Sequence, residues 1–525
     1  MGHLDVEQTP DDLLVRGGLK PMQKRLSHIL PPLGLFLLFV LGMALIQFVT
    51  PDMPDNDGFY HIKLAWLMRT EGLKPAFPWL PLSILNQREF YDHHFLFHVA
   101  LMPFTYFGDL RVGAKWAAVI FSSLAFLGVW FLFHRQRVLH AWLWALALLG
   151  ISDAFLYRMS ITRAQSLSLA FIAIGLAWLL EGKYKHLAIL SFVYVWFYDA
   201  FPLTIALAVL HLIAVALIER RFEYKPLLYV AGGILLGMLV NPYFPENIIF
   251  SYRHMLPKLA DATSVSVGNE WFPYDTQQIL KNSLPALIAF ASGIFALGLS
   301  PRKMDVRTAS ALLVSLLFGF MLFQARRFVE YFPPFALIFA AFAWTPLLLD
   351  RQPVPVSSAD SSHDRTLFAL RDNLPVILLS LVIALSIART IPPAREALDR
   401  SKPYDLYAGA SAWLTENTSA GERVFQTDWD DFPRLFFYNT HNTYLIGLDP
   451  TYMQLYDPGL YDLWVNITKG YVENPSQLIA SKFGSRYVHT DLNHKDFLAV
   501  AGKDPGFKEV YRDDQAVIFE VLVQQ

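Results

Sequence analysis

Asp55-Asn56-Asp57-Gly58-Phe59-Tyr60-His61-Ile62-Lys63 sets two carboxylates two residues apart, directly after an apolar helix expected over Leu33 to Val49. Such a pair just outside the hydrocarbon suits a divalent cation, or a general base held at a membrane surface. The structural alternative is a cap. Asn56 or Asp57 would serve as the N-cap of an amphipathic helix carrying Ile62, Leu64, Leu67 and Met68. Taken alone, capping is the simpler reading.

Five more clusters have chemistry in their residue types. Asp92-His93-His94 leads into the apolar stretch 94–107, where imidazoles are costly to desolvate unless used. They suit metal or phosphate, or an interfacial aromatic-histidine cluster. Arg158, Arg163 and Gln165 follow one apolar segment, and Arg326-Arg327 closes another. Guanidinium forks match phosphate oxygens, and snorkelling to headgroups is the bland alternative for any one of them. The long loop 241–281 sets Glu270 beside Trp271, a carboxylate next to a ring on which a sugar can stack. Thr427-Asp428-Trp429-Asp430-Asp431-Phe432 surrounds a tryptophan with carboxylates, for acceptor recognition or for an Asx-type cap.

The elements that must position these residues are largely apolar. The chain has 525 residues, 54% hydrophobic and 17% charged, which points to a polytopic membrane protein. A net charge of −2 argues against nucleic acid as a partner. Without cysteine there is no disulfide, thiolate nucleophile or thiolate metal site. No P-loop, dinucleotide-binding glycine motif or nucleophile elbow occurs, so nothing suggests ATP, NAD or serine-based acyl transfer.

Apolar segments near 31–50, 112–133, 139–157, 166–181, 187–200, 201–218, 226–240, 284–300, 308–324, 328–349 and 373–390 are read as crossings. The stretch 94–107 is read as a half-crossing. Lys20, Lys24 and Arg25 place the N-terminus in the cytoplasm, without a cleavable signal. The basic loops at 134–137, 183–185, 220–225 and 302–307 then fall inside as well, as does the linker 351–365. Asp57, Asp92, Arg163, Asp199, Glu270 and Arg327 fall outside. Pro392-Pro393 is expected to end the last helix. The expected organisation is a cytoplasmic segment 1–30, a membrane domain 31–392 with long external loops at 51–111 and 241–282, and a periplasmic α/β domain 393–525. That domain has strands over Arg423–Phe425, Thr443–Ile446, Tyr487–His489 and Ala516–Leu522.

Together these residues resemble the GT-C superfamily of integral-membrane glycosyltransferases, which use polyprenyl- or dolichyl-linked sugar donors. Asp57 to Lys63 looks like the first external-loop motif of the oligosaccharyltransferase catalytic subunit. Ser264-Val265-Ser266-Val267-Gly268-Asn269-Glu270 looks like its fifth external loop, which brings a Glu towards the metal. Arg326-Arg327-Phe328 looks like its lipid-diphosphate arginine, and Thr427 to Phe432 is similar to its acceptor-sequon motif. Asp92-His93-His94 looks like the second acidic site of protein O-mannosyltransferases and lipid A aminoarabinose transferases. Two departures stand out. Arg163-Ala164-Gln165 occupies the place of an acidic metal-binding pair, and Asp428 and Asp431-Phe432 replace most of the sequon motif.

The resemblance implies an all-α membrane domain of about 11 to 13 helices and a small α/β domain, in the bacterial cytoplasmic membrane. It implies transfer of a sugar from a polyprenyl phosphate or diphosphate to a protein, lipid or glycan acceptor. Asp57, Asp92 and Glu270 are the expected catalytic groups. Arg163, Arg326 and Arg327 are expected to hold the donor phosphate. His93, His94, Trp271, Trp429 and Asp430 are candidates for acceptor or sugar, and Asp57 with Glu270 for Mg or Mn. The alternative is a non-enzymatic transporter or assembly protein that handles lipid-linked saccharides.

Overall fold

A computed structural model describes residues 21–255, 268–350 and 362–522. Ser264 to Val267 and residues 351–361 of the linker lie outside the described residues. Along α1 (Pro21–Gln47), Leu33, Leu37, Leu41 and Leu45 are about half exposed, whereas Leu35, Phe39, Met43 and Ile46 are buried. A four-residue step keeps side chains on one helix face. A helix apolar all round therefore offers one stripe to its neighbours and another to lipid. The helix Ser362–Asp399 does the same, with Leu374, Leu378, Leu381 and Leu385 outermost.

Leu30–Gln47, Leu110–Arg135, Thr276–Leu299, Val306–Gln324, Phe332–Leu349 and Asn373–Asp399 are long and apolar enough to cross a membrane. The chain is a multi-pass membrane protein, mostly helical, with a small mixed sheet near its C-terminus. The apolar helices Gln165–Leu180, Leu203–Glu219 and Lys225–Leu239 are shorter.

Three expectations about this domain need correction. The segment 139–157 is not one span, because it breaks into Ala141–Leu146, a 3-10 turn and Asp153–Met159. Ser152 causes the break: its hydroxyl accepts the backbone N–H of Phe155 at 3.1 Å and starts a new helix. Pro392 and Pro393 do not end the last helix, which runs on to Asp399 with Ala394 and Leu398 fully buried beyond them. Packing there outweighs the lost backbone donors. Finally, α2 (Asp57–Glu71) is no surface amphipathic helix, since Ile62, Leu64, Leu67 and Met68 are all buried. The stretch 94–107 forms α3 (Phe95–Leu101) and a 3-10 turn, Met102–Tyr106.

Gly233 shows how tightly the helices pack. A Cβ there would lie 2.2 Å from the Ala188 carbonyl oxygen. One turn on, Trp196 Nε1 donates to the Gly237 carbonyl at 2.8 Å. Small residues at this spacing let two backbones touch. Gly233→Leu is expected to force Tyr184–Phe197 away from Lys225–Leu239 and to cost about 1–3 kcal/mol, read as a lower thermal midpoint in detergent.

The C-terminal sheet has the order β2-β1-β3-β5-β4. β1 (Arg423–Gln426) pairs in parallel with β2 (Thr443–Tyr444) and β3 (Tyr487–Asp491). β5 (Ala516–Val521) runs antiparallel to β3 and to β4 (Phe507–Arg512). The sequence reading missed β4, a half-exposed edge strand carrying Lys508, Glu509 and Arg512, the charges that edges tolerate.

α2 lies between the two domains. Phe59 packs edge-on against Phe437, and Tyr60 sits 5.8 Å from Phe436. The loop before α3 docks alongside, with Trp79 Nε1 donating to the Thr440 carbonyl and Tyr444 N–H donating to the Trp79 carbonyl. Arg434 is 1% exposed; it donates to Asn56 Oδ1 at 2.7 Å and to the Pro403 carbonyl at 2.6 Å, beneath the Phe59 ring. Arg434→Met keeps the apolar stem and removes these bonds. A loss of about 2–3 kcal/mol is expected, seen as a lower thermal midpoint and easier proteolysis between the domains.

Candidate active site

The cap reading of the first motif fails in an informative way. Asp55 Oδ1, not Asn56 or Asp57, accepts the backbone N–H at the start of α2, at 2.8 Å. Asn56 gives its amide to Asp430, donating to its carboxylate at 2.7 Å and to its backbone carbonyl at 3.0 Å. The Asp57 carboxylate is thereby left for Arg163, 2.8 Å away.

Arg163 stands just before the helix Gln165–Leu180, and Arg158 near the end of Asp153–Met159. Glu270 belongs to the 3-10 turn Asn269–Trp271, and Arg327 to the turn Arg326–Glu330. Gly268 adopts φ +100° at the entry to the Glu270 turn, and a side chain there would meet the Trp429 ring.

Glu270 is the hub. Its Oε2 lies 2.8 Å from Arg158 Nη1 and 3.3 Å from Arg163 Nη1, and its Oε1 lies 3.6 Å from Arg327 Nη1. Arg158 also pairs with Glu330, which is 1% exposed. Arg327 donates to the Tyr198 hydroxyl at 3.1 Å and lies over the Trp271 ring. Asp55 sits 3.8 Å from Arg163.

These groups line one cavity of about 910 Å³. Asp57, Arg163, Glu270, Arg327, Trp271, His93, His94, Trp429 and Asp430 all face it. Leu203, Ala206, Leu317 and Met321 form an apolar wall on helices of the membrane domain, and Asp428 and Asp449 contribute from the C-terminal domain. Two predicted residues are elsewhere. Arg326 points the other way in its tight turn, donating to the Pro273 carbonyl at 3.2 Å and lying over Tyr274. Asp92 is buried behind the wall against His98. Glu330 and His61 are site groups to which the sequence assigned no role: Glu330 pairs with Arg158 and His61 lines the cavity, and only tertiary packing brings them there.

The charges shape each other. Burial, opposed by Arg163 and reinforced by Asp55 and Glu270, raises Asp57 to about 7. Burial would raise Glu270 too, but Arg163, Arg158 and Arg327 overcome it and hold its carboxyl well below the usual range. Burial, with Asp57 and Asp55 nearby, raises Asp430 to about 7. Two neighbouring carboxylates are thus pushed apart, as in sites that divide their roles between acids and bases.

Solved structures share this arrangement of helices and domain. The archaeal oligosaccharyltransferase AglB from Archaeoglobus fulgidus, in complex with an inhibitory peptide and a dolichol-phosphate, superposes with TM-score 0.62 at 14% identity over 91% of this chain and 71% of that one. ArnT from Cupriavidus metallidurans bound to undecaprenyl phosphate gives 0.53 at 13% identity, over 94% and 98%. The arabinofuranosyltransferase AftD from Mycobacteria gives 0.55 at 14% identity, over 94% and 40%. The chain has the GT-C fold. No family model matches it, and no curated protein matches it in sequence.

Within the GT-C fold the archaeal enzyme is also known in complex with Zn and sulfate, a structure similar at TM-score 0.58 and 14% identity over 90% of this chain and 70% of that one. The expectation that Asp57 and Glu270 hold Mg or Mn does not fit the geometry here. Their oxygens face the guanidiniums of Arg163, Arg158 and Arg327. Among the described residues, no group of three or more His, Asp or Glu is placed to hold a metal ion. A divalent cation between these two carboxylates would stand among the fixed positive charges of Arg158, Arg163 and Arg327.

Proposed function

We propose that the protein is a membrane glycosyltransferase that moves a sugar or oligosaccharide from a polyprenyl phosphate or diphosphate to an acceptor. We place the reaction at the outer face of a bacterial cytoplasmic membrane, with the C-terminal domain on the same side. The observation that carries this reading is the convergence of Arg158, Arg163 and Arg327 on one cavity whose walls are apolar on one side and acidic on the other.

The apolar wall at Leu203, Ala206, Leu317 and Met321 suits the start of an isoprenoid chain. The guanidiniums suit the phosphate, whose negative charge grows as the sugar leaves. Asp57 faces the same space and orients the acceptor by accepting a hydrogen bond from a group beside its reacting hydroxyl. Trp271 and Trp429 supply flat apolar faces for sugar rings, and Asp430 and Asp428 mark the acceptor side. The arginines perform the charge neutralisation that a metal ion performs in other phosphate-transfer sites.

The reading is tested with a labelled polyprenyl-linked sugar in proteoliposomes and a panel of protein, lipid and glycan acceptors. Transfer by the native chain, lost in Arg327→Ala, supports it. Donor binding without turnover on any acceptor favours a non-enzymatic carrier.

A further inference from the structure

We propose that His61 is the base that takes the acceptor's proton, and that Asp92 and His98 are the positioning residues that hold it ready. The inference rests on the glycosyl-transfer reading above. It starts from a chain of three side chains that the charge cluster does not use.

Asp92 Oδ2 lies 2.7 Å from His98 Nδ1, and His98 Nε2 lies 2.7 Å from His61 Nδ1. All three residues are buried, at 3%, 0% and 4% exposure. Only the far end touches open space: His61 lines the cavity, and its Nε2 meets no hydrogen-bond partner among the described residues. His61 and Asp57 are four residues apart on α2, so they share a face with Cβ atoms roughly 5–6 Å apart.

Hydrogen-bond chemistry sets the protons. A carboxylate only accepts, so His98 Nδ1 carries the proton it shares with Asp92. In a neutral ring, His98 Nε2 is then a lone pair. His61 Nδ1 must donate to it, which leaves the His61 Nε2 lone pair facing the cavity. An imidazole whose second nitrogen is fixed by a partner is how a general base is held in its working tautomer. Burial, with His98, Arg163 and His93 nearby, keeps the His61 ring neutral well below its ordinary range. The ring is packed among Tyr60, His94 and Phe97, which restricts its rotation.

The step balances without a co-reactant. The acceptor O–H bond breaks as its oxygen bonds to the sugar's anomeric carbon. The bond from that carbon to the phosphate oxygen breaks, and its electron pair leaves with the phosphate against the arginines. The proton ends on His61 Nε2, and the imidazolium charge is shared through His98 with Asp92.

Asp92→Asn is the decisive variant. Asp92 Oδ1 already accepts the backbone N–H of His94 at 3.0 Å. The amide oxygen of the variant keeps that bond, so its NH2 faces His98 Nδ1 and donates. His98 must then protonate Nε2 and donate to His61, and His61 presents an N–H to the cavity instead of a lone pair. The expected result is a fall in kcat of about 10²–10³-fold, with both KM values within twofold and an unchanged thermal midpoint. His61→Ala provides the second arm: it loses activity similarly and regains part of it with free imidazole. If Asp92→Asn fails to fold, that rescue decides. Native kcat in Asp92→Asn or in His61→Ala overturns the relay, as does a fall in His61→Ala that imidazole does not restore. Absence of transfer by the native chain overturns the glycosyl-transfer reading instead.

Discussion

Arg163→Ala is expected to lower the transfer rate by about 10³-fold, the scale of losing one preorganised charge partner in a water-poor site. Arg163 touches both key carboxylates, Asp57 at 2.8 Å and Glu270 at 3.3 Å. Its removal leaves Asp55, Asp57 and Glu270 facing one another with less compensation. The donor phosphate then loses a cation and gains uncompensated negative neighbours. Arg163→Lys should recover only part of the rate, because a single ammonium cannot bridge two carboxylates and a phosphate as a planar fork can. EDTA should leave the native rate unchanged. Arg163→Asp, which sets an acidic side chain beside Asp57 and Glu270, should bind Mn ions where the native chain does not. Initial rates with a labelled donor and titration calorimetry with Mn check all four outcomes.

Asp57→Asn is expected to pull activity and stability in opposite directions. Transfer should fall by about 10²–10⁴-fold, because the amide cannot offer a charged hydrogen-bond acceptor to the donor group beside the reacting hydroxyl. The carboxyl's raised value, about 7 against an ordinary 3.8, works against the folded state at neutral pH. The sign follows from proton linkage: the folded chain holds the Asp57 proton more tightly than the unfolded chain. The associated stability is complete below pH 3.8 and lost as pH rises through about 7. The thermal midpoint of Asp57→Asn at pH 8 should therefore equal or exceed the native one. Native transfer should rise with pH through about 7 as Asp57 ionises, and this limb should vanish from the residual activity of Asp57→Asn. Rates and melting curves from pH 5 to 9 measure both effects.

Much of the site was legible as residue types near apolar boundaries. Asp57, Arg163, Glu270 with Trp271, Arg327 and Trp429 come from five separate stretches of sequence and meet in one cavity. What the sequence could not convey was partnership. That Arg163 neutralises Asp57, or that Asn56 serves Asp430 and Arg434 rather than α2, depends on segments hundreds of residues apart. Arg326 and Arg327 are equivalent in composition, and only the tight turn separates them, one into the cavity and one onto Pro273. In the fold, hydropathy found the apolar segments but not their breaks. Ser152 starts a helix inside an apparently continuous run, and packed side chains carry a helix past two prolines that ordinarily stop one. β4 escaped notice because an edge strand need not alternate apolar with polar.

In the proposed reaction, Glu270 would make the cavity an ion exchanger for the donor phosphate. With no substrate, the three arginines share this carboxylate as their common counter-ion. On that reading, an arriving phosphate does not enter an empty positive pocket; it displaces a resident anion on a loop turn beside Trp429. Binding then trades one negative charge for another, so selectivity follows the difference between two anions rather than the attraction of either alone. Weak or singly charged competitors cannot win that exchange, whereas a lipid phosphate that also fills the apolar wall can. Each release returns Glu270 to its partners, and the arginines pass from one counter-ion to the next without being left bare.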